Sequence, residues 1–430
     1  MTHSNLGADL TEKNMKQKPG LETRLVATLL LTRVMDDGRN LDALCDRQHG
    51  LDRFLKLEVR DQGLARAIAI TAVRKHNQIE VILKRVMQRP PPKRARFLIH
   101  SLHVAASQIL FLDAPDSAAV DLGVTAIGKD ERTSRFRGMS NAVLRRIVRE
   151  KDELLSKTEQ TSLLPKWMEK ALRKDYGKEK AAKISSFIAL EPMVDLTVKT
   201  NPQEWAEKLG GFVLPTGSVR LTNSTSVTEL EGYESGDWWV QDAAAALPAH
   251  LVKAEKGARV LELCAAPGGK TAQLAHKGYD VTAVDISKPR LARLQQNLDR
   301  LNLKATLVET DILEFEPEEK FDAILLDAPC SSTGTIRRHP DVKDFLKPGG
   351  IFVFSNCSML KEEGEDLLSK VSKQFEDLIP DAIKPDEING LEYCINGQGA
   401  LRTLPFHLAH KEQEIYSGLD GFFACRFIKQ

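Results

Sequence analysis

The sequence predicts a multidomain chain, an all-α N-terminal helical bundle followed by a C-terminal α/β doubly wound (Rossmann-like) domain. Three observations lead there. At 430 residues the chain is too long for one ordinary hydrophobic core. Residues 21–157 carry apolar side chains at helical spacing. From residue 259 onward, short apolar strand-like runs alternate with helical ones.

Composition narrows the class. Hydrophobic content of 42% and charged content of 28% are those of a globular protein. A formal net charge of +1 means that any basic surface is local. No apolar run approaches the ~18 residues that span a bilayer. Residues 1–20 are polar and lysine-bearing, without the apolar centre of a signal peptide, and read as a disordered leader. The six cysteines (45, 264, 330, 357, 394, 425) include no Cys-x-x-Cys pair, so no metal site is expected and reduced thiols in a cytoplasm are.

In chain order, helices are expected over 24–35, twice within 54–87, and over 97–112, 118–127 and 139–149, with Pro90 to Pro92 and Asp113-Ala-Pro-Asp116 as breaks. Such a set packs as a compact bundle. Its basic residues fall in two groups, Arg89, Lys93, Arg94 and Arg96, and then Arg132, Arg135, Arg137, Arg145, Arg146 and Arg149. These either neutralise RNA phosphates or make a solvated helix face. Residues 158–235 read as a small α+β connector lobe: helices opening at Leu164-Pro-Lys-Trp-Met168 and over 178–189, a strand over 194–199, a short helix over 201–209 and a strand over 219–223. Trp238 and Trp239 are either core or a surface for stacking a base. Gln241 is expected beside the turn that follows.

That turn organises the second half. Strand 260–263 runs into Cys264-Ala-Ala-Pro-Gly-Gly-Lys270, a helix starts at Thr271, and strand 281–284 ends at Asp285. In such a sheet ligands bind at the carboxyl ends of the strands. The turn lacks G-x-G-x-x-G, which argues against a dinucleotide. Gly269-Lys270-Thr271 fits the end of a Walker A loop, but the required first glycine is Cys264. A nucleoside without a phosphate chain fits better, with Asp285 accepting from the ribose diol, and S-adenosylmethionine is the common one. Helix 288–301 follows, then strands over 305–308, 321–326 and 351–354. Four successive strands thus end at Asp285, Asp311, Asp327 and Cys357.

The chemistry follows from those ends. Asp327-Ala-Pro-Cys330 puts an acid and a thiol on one loop, and Cys357 ends the neighbouring strand. Carbon 5 of cytosine is a poor nucleophile. A thiolate adding at carbon 6 makes it an enamine able to attack a sulfonium methyl, which is covalent catalysis. A carboxyl at N3 assists, which suits Asp327, and a base must then remove the carbon 5 proton. Spacing alone does not choose between Cys330 and Cys357 as the attacking thiol.

Two resemblances add to this. Phe111-Leu-Asp-Ala-Pro115, Ala118-Ala-Val-Asp121 and Ser140-Asn-Ala-Val-Leu-Arg-Arg146 resemble the NusB-type RNA-binding helical domain. Cys264 to Lys270, Asp327-Ala-Pro-Cys-Ser331, Arg337-Arg-His-Pro-Asp341, Asn356-Cys-Ser358, Gly399-Ala-Leu-Arg-Thr-Leu-Pro405 and Asp420-Gly-Phe-Phe423 resemble the bacterial RsmB-type (Fmu/Sun) 16S ribosomal RNA cytosine-5 methyltransferases. The resemblance implies that Cys264, Ala265, Ala266, Pro267, Gly268, Gly269, Lys270, Asp285, Asp311 and Asp327 contact S-adenosylmethionine. It makes Cys357 the nucleophile and gives Cys330 a part in product release. Small-subunit ribosomal RNA is the partner it implies, for a cytoplasmic, monomeric enzyme without a membrane. The expected domains are 1–20, 21–157, 158–235 and 236–430.

The chain departs from the family twice. Asn356 stands where the family has Thr. The helical segment that family members carry after His339-Pro340-Asp341 is shortened, so that His339 runs almost directly into Leu346-Lys-Pro-Gly-Gly350. Only 341–346 is left to form a helix, which predicts thin cover over one sheet face there. A catalytically impaired RNA-binding or ribosome-assembly factor is the alternative this raises.

Overall fold

A run of three prolines, Pro90 to Pro92, cannot continue a helix, and it separates the two halves of the N-terminal unit. The computed structural model describes residues 18–46, 50–188, 190, 192–223, 226–328, 345–410 and 412–430. They fall into two units, Met1–Pro165 and Lys166–Gln430. The first contains α1 (Leu21–Met35), single-turn helices at Leu41–Leu44 and Asp52–Leu55, α2 (Val59–Arg74), α3 (His76–Val86), α4 (Arg96–Phe111), α5 (Asp116–Lys129), α6 (Arg137–Arg149) and α7 (Lys151–Thr158). Helix α4 is buried on all sides between Leu98 and Leu110 apart from Ile99, so it needs neighbours all round. It packs against α1, α2, α3, α5 and α6.

The second unit begins with α8 (Lys166–Ile188), which breaks at Gly177, where φ is 79°. This divides it into the two helices that the sequence suggests. Next come β1 (Asp195–Val198), α9 (Pro202–Leu209), β2 (Gly211–Val213), β3 (Val219–Leu221) and β4 (Trp238–Val240). The strands form an antiparallel sheet of order β2-β3-β1-β4. Its core holds Leu196, Trp205, Val219 and Trp238. Both tryptophans are buried, Trp239 against Ala272 and Leu301. They are core residues, and Trp239 also borders the cavity at residues 265–270.

Helix α10 (Ala243–His250) leads into the large sheet. In order come β5 (Arg259–Leu263), α11 (Gly269–His276), β6 (Asp280–Asp285), α12 (Lys288–Arg300), β7 (Thr306–Glu309), β8 (Phe321–Asp327), β9 (Leu346–Asn356), α13 (Glu365–Gln374), β10 (Leu378–Pro380), β11 (Leu401–Thr403) and β12 (Phe422–Lys429). The spatial order is β10-β12-β9-β8-β5-β6-β7, with β11 paired to β12. Strands β7, β6, β5, β8 and β9 are parallel, and β12 returns antiparallel to β9. The chain leaves β5 in one direction for β6 and β7 and later crosses to β8 and β9 on the other side. Such a reversal of strand order opens a ligand crevice at the carboxyl ends, here beside the turn after β5.

Two expectations about 341–356 change. Leu346 belongs to a strand: β9 starts there, and its pairing steps from Phe321↔Leu346 to Ala323↔Ile351 across an irregular stretch that includes Gly349. Nor is the sheet thinly covered among the described residues. Phe352 and Phe354 pack under Leu367, Leu368 and Val371 of α13. Ala323, Leu325 and Val353 pack on the opposite face with Ala244, Leu247, Ile383 and Leu391. Residues 329–344, including the shortened segment and Cys330, lie outside the described residues.

Trp238 is fully buried, and its indole N–H donates to the Glu231 carbonyl at 2.9 Å. Trp238→Ala is expected to destabilise the second unit by about 3–5 kcal/mol. Urea unfolding should show the transition of residues 166–430 moving to lower denaturant while that of the helical unit stays in place.

Candidate functional site

The turn after β5 takes a tight backbone path. Cys264 sits at φ 61° and Gly268 at φ 100°. A Cβ on Gly268 would stand 2.6 Å from Cγ of Leu294. Only glycine takes this conformation without strain while packing so closely on α12. A Cβ on Gly269 would come 3.3 Å from Nε2 of Gln241, so Gln241 does lie beside the turn. The Gln241 side chain is fully engaged. Its Oε1 accepts from Thr197 and from Trp239, both at 2.9 Å, and its Nε2 donates to Gln273 at 2.7 Å. It therefore fixes the wall of the site and ties the small sheet to it.

Asp285, at the end of β6, is buried. Its Oδ2 accepts from the Ala266 N–H at 3.1 Å and its Oδ1 from the Ser287 N–H at 2.9 Å. It thus holds the turn as well as facing the ligand edge. Arg290 sits 3.7 Å from the Asp285 carboxylate and donates to the Ala266 carbonyl. Sequence reasoning passed over Arg290. A surface-facing arginine on an amphipathic helix gives no signal of its own. Asp311 follows β7, and its Oδ1 accepts from the Leu313 N–H at 3.0 Å.

At the end of β8, Asp327 accepts from Nζ of Lys270 at 2.6 Å through one oxygen and from the Ser355 hydroxyl at 2.8 Å through the other. Lys270 Nζ also lies 5.0 Å from the Phe422 ring centroid. Asp327 is paired with Ser355 in register, so Cys357 stands two residues further on the adjacent strand. Cys357 is exposed, and its sulfur is joined in a disulfide in this structure. A disulfide requires only a second sulfur within bonding reach. The reduced thiol is the form with nucleophilic chemistry.

The segment beyond Cys357 is pinned from several sides. Asn356 donates to the Glu363 carbonyl at 2.7 Å and accepts from the Ser358 N–H at 2.9 Å. The Tyr176 hydroxyl donates to the Met359 carbonyl at 2.5 Å. Arg402 donates to the Ser358 carbonyl and forms a two-pronged pair with Glu365 at 3.1 and 2.7 Å. A Cβ on Gly421 would collide with Met359. These contacts explain two motifs to which the sequence gave no role, the one containing Arg402 and Asp420-Gly-Phe-Phe423.

A cavity of about 400 Å³ adjoins the turn. It is lined by residues 265–270, Gln241, Glu262, Arg300 and Asp327, among others. The structure thus brings the turn and Asp327 together around one space and ties Asp285 to it through Ala266. Asp311 and Cys357 do not line it. Glu262 was missed because an acid inside Val-Leu-Glu-Leu reads as the polar half of an alternating strand. It is 1% exposed, and its Oε2 has no hydrogen-bond partner. Burial pushes its carboxyl up to about 8. Burial likewise pushes the Cys264 thiol up to about 12, with Asp285 and Asp327 adding to the rise. S-adenosylmethionine would fit the residues present: the 265–270 turn borders the cavity with its backbone, and Glu262 and Asp327 put acceptors for a cationic ligand on the same space.

The basic groups separate. Arg96 is bound to Asp36 and Arg146 to Glu150 and the Val86 carbonyl. Arg137, Arg145 and Arg149 instead line a cleft of about 890 Å³ between α5 and α6, with Asn141 and, opposite, Asp116 and Asp121. Among the described residues no helix is long and apolar enough to cross a membrane.

Known proteins resemble the chain at both ends. A NusB family model matches residues 21–149, and a model described as 16S rRNA methyltransferase RsmB/F matches residues 249–345. Ribosomal RNA small subunit methyltransferase B of Xylella fastidiosa is 31% identical over 451 residues, covering 95% of this chain and 98% of that protein. Its counterpart from Cronobacter sakazakii is 31% identical over 457 residues, covering 96% and 100%. The crystal structure of PH0851 shares the fold, with a TM-score of 0.67 at 21% identity over 96% of this chain and 99% of that one.

A thiol with its pKa near 12 stays neutral through pH 9, and the thiolate is the reactive form. Iodoacetamide labelling of Cys264 in the native, reduced protein is therefore expected to remain far slower than that of an ordinary thiol, at about 8.5, throughout pH 7 to pH 9. Mass spectrometry of the labelled peptides reads the difference.

Proposed function

This chain belongs to the 16S rRNA methyltransferase RsmB/F family, and we propose that it methylates carbon 5 of a cytosine in small-subunit ribosomal RNA through a covalent Cys357–cytosine bond. The observation that carries this reading is the exposed Cys357 at the end of β9, beside the Asp327–Lys270 pair at the end of β8. S-adenosylmethionine, when bound, supplies an electrophilic methyl group on a sulfonium. Cys357, as thiolate, forms a bond to carbon 6, which moves electron density to carbon 5. Once carbon 5 carries the methyl group, its proton must leave and the bond from sulfur to carbon 6 breaks. By resemblance Cys330 serves this release.

Asp327 and Lys270 offer an acceptor and a donor 2.6 Å apart. Cytosine presents a matching edge, its N4 amine as donor beside N3 as acceptor, whereas uracil presents the reverse. Asp327 therefore serves better as acceptor for the amine than as a proton source for N3, with Lys270 supplying the donor. The target base has to leave its stack to reach this edge, as base-modifying enzymes generally require.

Transfer of a labelled methyl group from S-adenosylmethionine to protein-free 16S ribosomal RNA, under reducing conditions, tests the reading. Label is expected on one cytosine. Cys357→Ala should abolish transfer while RNA binding stays near wild type. Cys330→Ala should accumulate a covalent RNA–protein adduct on denaturing gels, and no adduct would remove Cys330 from the release step. Well-folded protein that binds RNA but transfers nothing would favour the alternative reading, an RNA-binding or ribosome-assembly factor.

The helical unit supports RNA binding most directly through the α5–α6 cleft, which Arg137, Arg145 and Arg149 line: Arg145 donates to the Asn141 side chain and Arg149 reaches Glu150 only at 3.5 Å, whereas Arg96 is held by Asp36 through two nitrogens. The R137Q/R145Q/R149Q variant is expected to lower RNA affinity and to flatten its salt dependence by roughly 0.7–0.9 per lost phosphate contact. Filter binding across a salt series measures the slope. An unchanged slope would assign these arginines to a solvated helix face.

A further inference from the structure

Residues 406–419 lie between the motif containing Arg402 and Asp420-Gly-Phe-Phe423, and belong to neither. Their loop is fixed at its neck and across its width. The Gly418 N–H donates to the Leu408 carbonyl at 3.2 Å, and the His410 N–H to the Ser417 hydroxyl at 2.7 Å. Nδ1 of His410 accepts from the Glu412 and Gln413 N–H groups at 3.3 and 3.1 Å. That leaves the proton of a neutral imidazole on Nε2. Arg220 holds the returning arm through the Tyr416 and Gly418 carbonyls.

Three half-buried rings meet at this loop. Phe212, on the edge strand β2, lies 5.2 Å from His410 and 5.9 Å from Tyr416 between ring centroids, and those two are 5.5 Å apart. With Leu214, Leu408 and Glu412 they line a cavity of about 430 Å³. Among the described residues no lysine or arginine lines it, and neither the Glu412 carboxylate nor the Tyr416 hydroxyl has a partner. Apolar rings with a few free polar groups suit a small planar ligand.

The pocket lies a short way along the chain from the reacting edge. Tyr416 is seven residues before Phe423, whose register partner Asn356 precedes Cys357. Seven residues span at most about 25 Å. A cytosine at Cys357 therefore brings nearby nucleotides of the same strand within reach of these rings. RNA sequence is read mainly through unstacked bases, laid on aromatic side chains and bonded along their pairing edges. An ionised carboxyl only accepts. Guanine alone offers it two adjacent donors on that edge, N1–H and the N2 amine. Adenine and cytosine set an amine beside an acceptor, and uracil sets one N–H between two acceptors. We propose that the pocket walled by Phe212, His410 and Tyr416 takes an unstacked guanine of the substrate RNA, with Glu412 accepting from its pairing edge. A cationic peptide side chain would also suit rings beside a carboxylate, but the nearness to Cys357 favours the base. Without a cation in its wall, the pocket adds base selectivity and not salt-dependent affinity. This rests on the reading of the chain as an enzyme that acts on ribosomal RNA.

Photocrosslinking of the full-length, reduced protein to 16S ribosomal RNA transcribed with 6-thioguanosine tests the assignment. Crosslinked peptides are expected from 211–220 and 406–419. RNA carrying 4-thiouridine instead should give few there. Glu412→Gln is expected to lower the thioguanosine crosslinks at least about fivefold, the low end of what a two-bond base contact contributes. The same variant should leave the salt slope of filter binding unchanged. Tyr416→Ala should raise the KM for the RNA several-fold with kcat unchanged, and Tyr416→Phe should keep most of the wild-type KM. Equal crosslinking by 4-thiouridine, or unchanged crosslinking in Glu412→Gln, would overturn the proposal. So would methyl transfer to the RNA with no crosslink in either segment, which would leave the methyltransferase reading standing. Retention of an oligoarginine peptide by the wild type but not by Glu412→Gln, again without crosslinks, would overturn it in favour of a cationic protein segment. Well-folded wild type that binds no 16S ribosomal RNA would overturn both readings.

Discussion

The ion pair between Lys270 and Asp327 holds the reacting edge of the sheet together. Lys270 belongs to the first turn of the helix after β5, and Asp327 ends β8. Through Ser355 the same carboxylate reaches β9, two residues before Cys357. One carboxylate therefore fixes the relative positions of the cofactor turn, the loop that begins at Asp327 and the thiol-bearing strand end. Lys270 is 9% exposed at its side chain and Asp327 26%. The attraction is therefore stronger than at an open surface, and loss of either partner would strand a charge in a largely shielded place. Because adjacent parallel strands advance in step, this short bridge fixes side chains that are far apart in sequence.

A second set of constraints works at the junction of the small sheet with the large one. Arg220 of β3 makes two bonds of 2.7 Å to Asp195 of β1, and the pair is fully buried. The remaining donors of Arg220 bind the carbonyls of Tyr416 and Gly418, and Asp195 also accepts from the Ala243 N–H at the start of α10. Asp242 caps that helix through the N–H groups of Ala244 and Ala245. Burial, with Asp420 and Asp195 nearby, raises the Asp242 carboxyl. The lobe is thus bound to the rest of the second unit by a polar network in which Arg220 makes four hydrogen bonds. This is the condition under which a buried ion pair does not destabilise.

Much of this edge could be read from the sequence because strand ends obey a simple rule. Apolar runs that stop at Asp285, Asp327 and Cys357 are legible as strands, and a doubly wound sheet collects such ends on one side. The two tryptophans were legible only as a choice, since an aromatic pair looks the same in a core and at a binding face. What could not be read depends on the third dimension. Arg402 acts on a carbonyl 44 residues away in the chain. Glu262 looks like the polar half of an alternating strand until both neighbouring strands are known. Leu346 was mistaken for the end of a helix because a strand that starts with an irregular Lys-Pro-Gly-Gly stretch shows no period of two.

The cysteines around the site show why position outweighs residue type. Cys264, at the start of the turn, is half-buried beside Asp285 and Asp327; burial raises its pKa, and the negative neighbours oppose a further negative charge. Its thiol is held neutral, so it can serve as backbone and wall but not as nucleophile. Cys425 lies fully buried on β12, and burial drives its pKa still higher. Cys394 is buried too, and its sulfur lies 3.2 Å from Nδ1 of His407, whose own pKa burial lowers to about 4. A neutral imidazole gives that thiol no cationic stabilisation, and burial, with Glu392 adding to it, pushes its pKa up to about 12. Cys357 differs from all three in facing solvent at a strand end, with a cation, Lys270, held near the same edge by Asp327. Burial thus raises the pKa of all three of these thiols, while Cys357 stands exposed at a strand end.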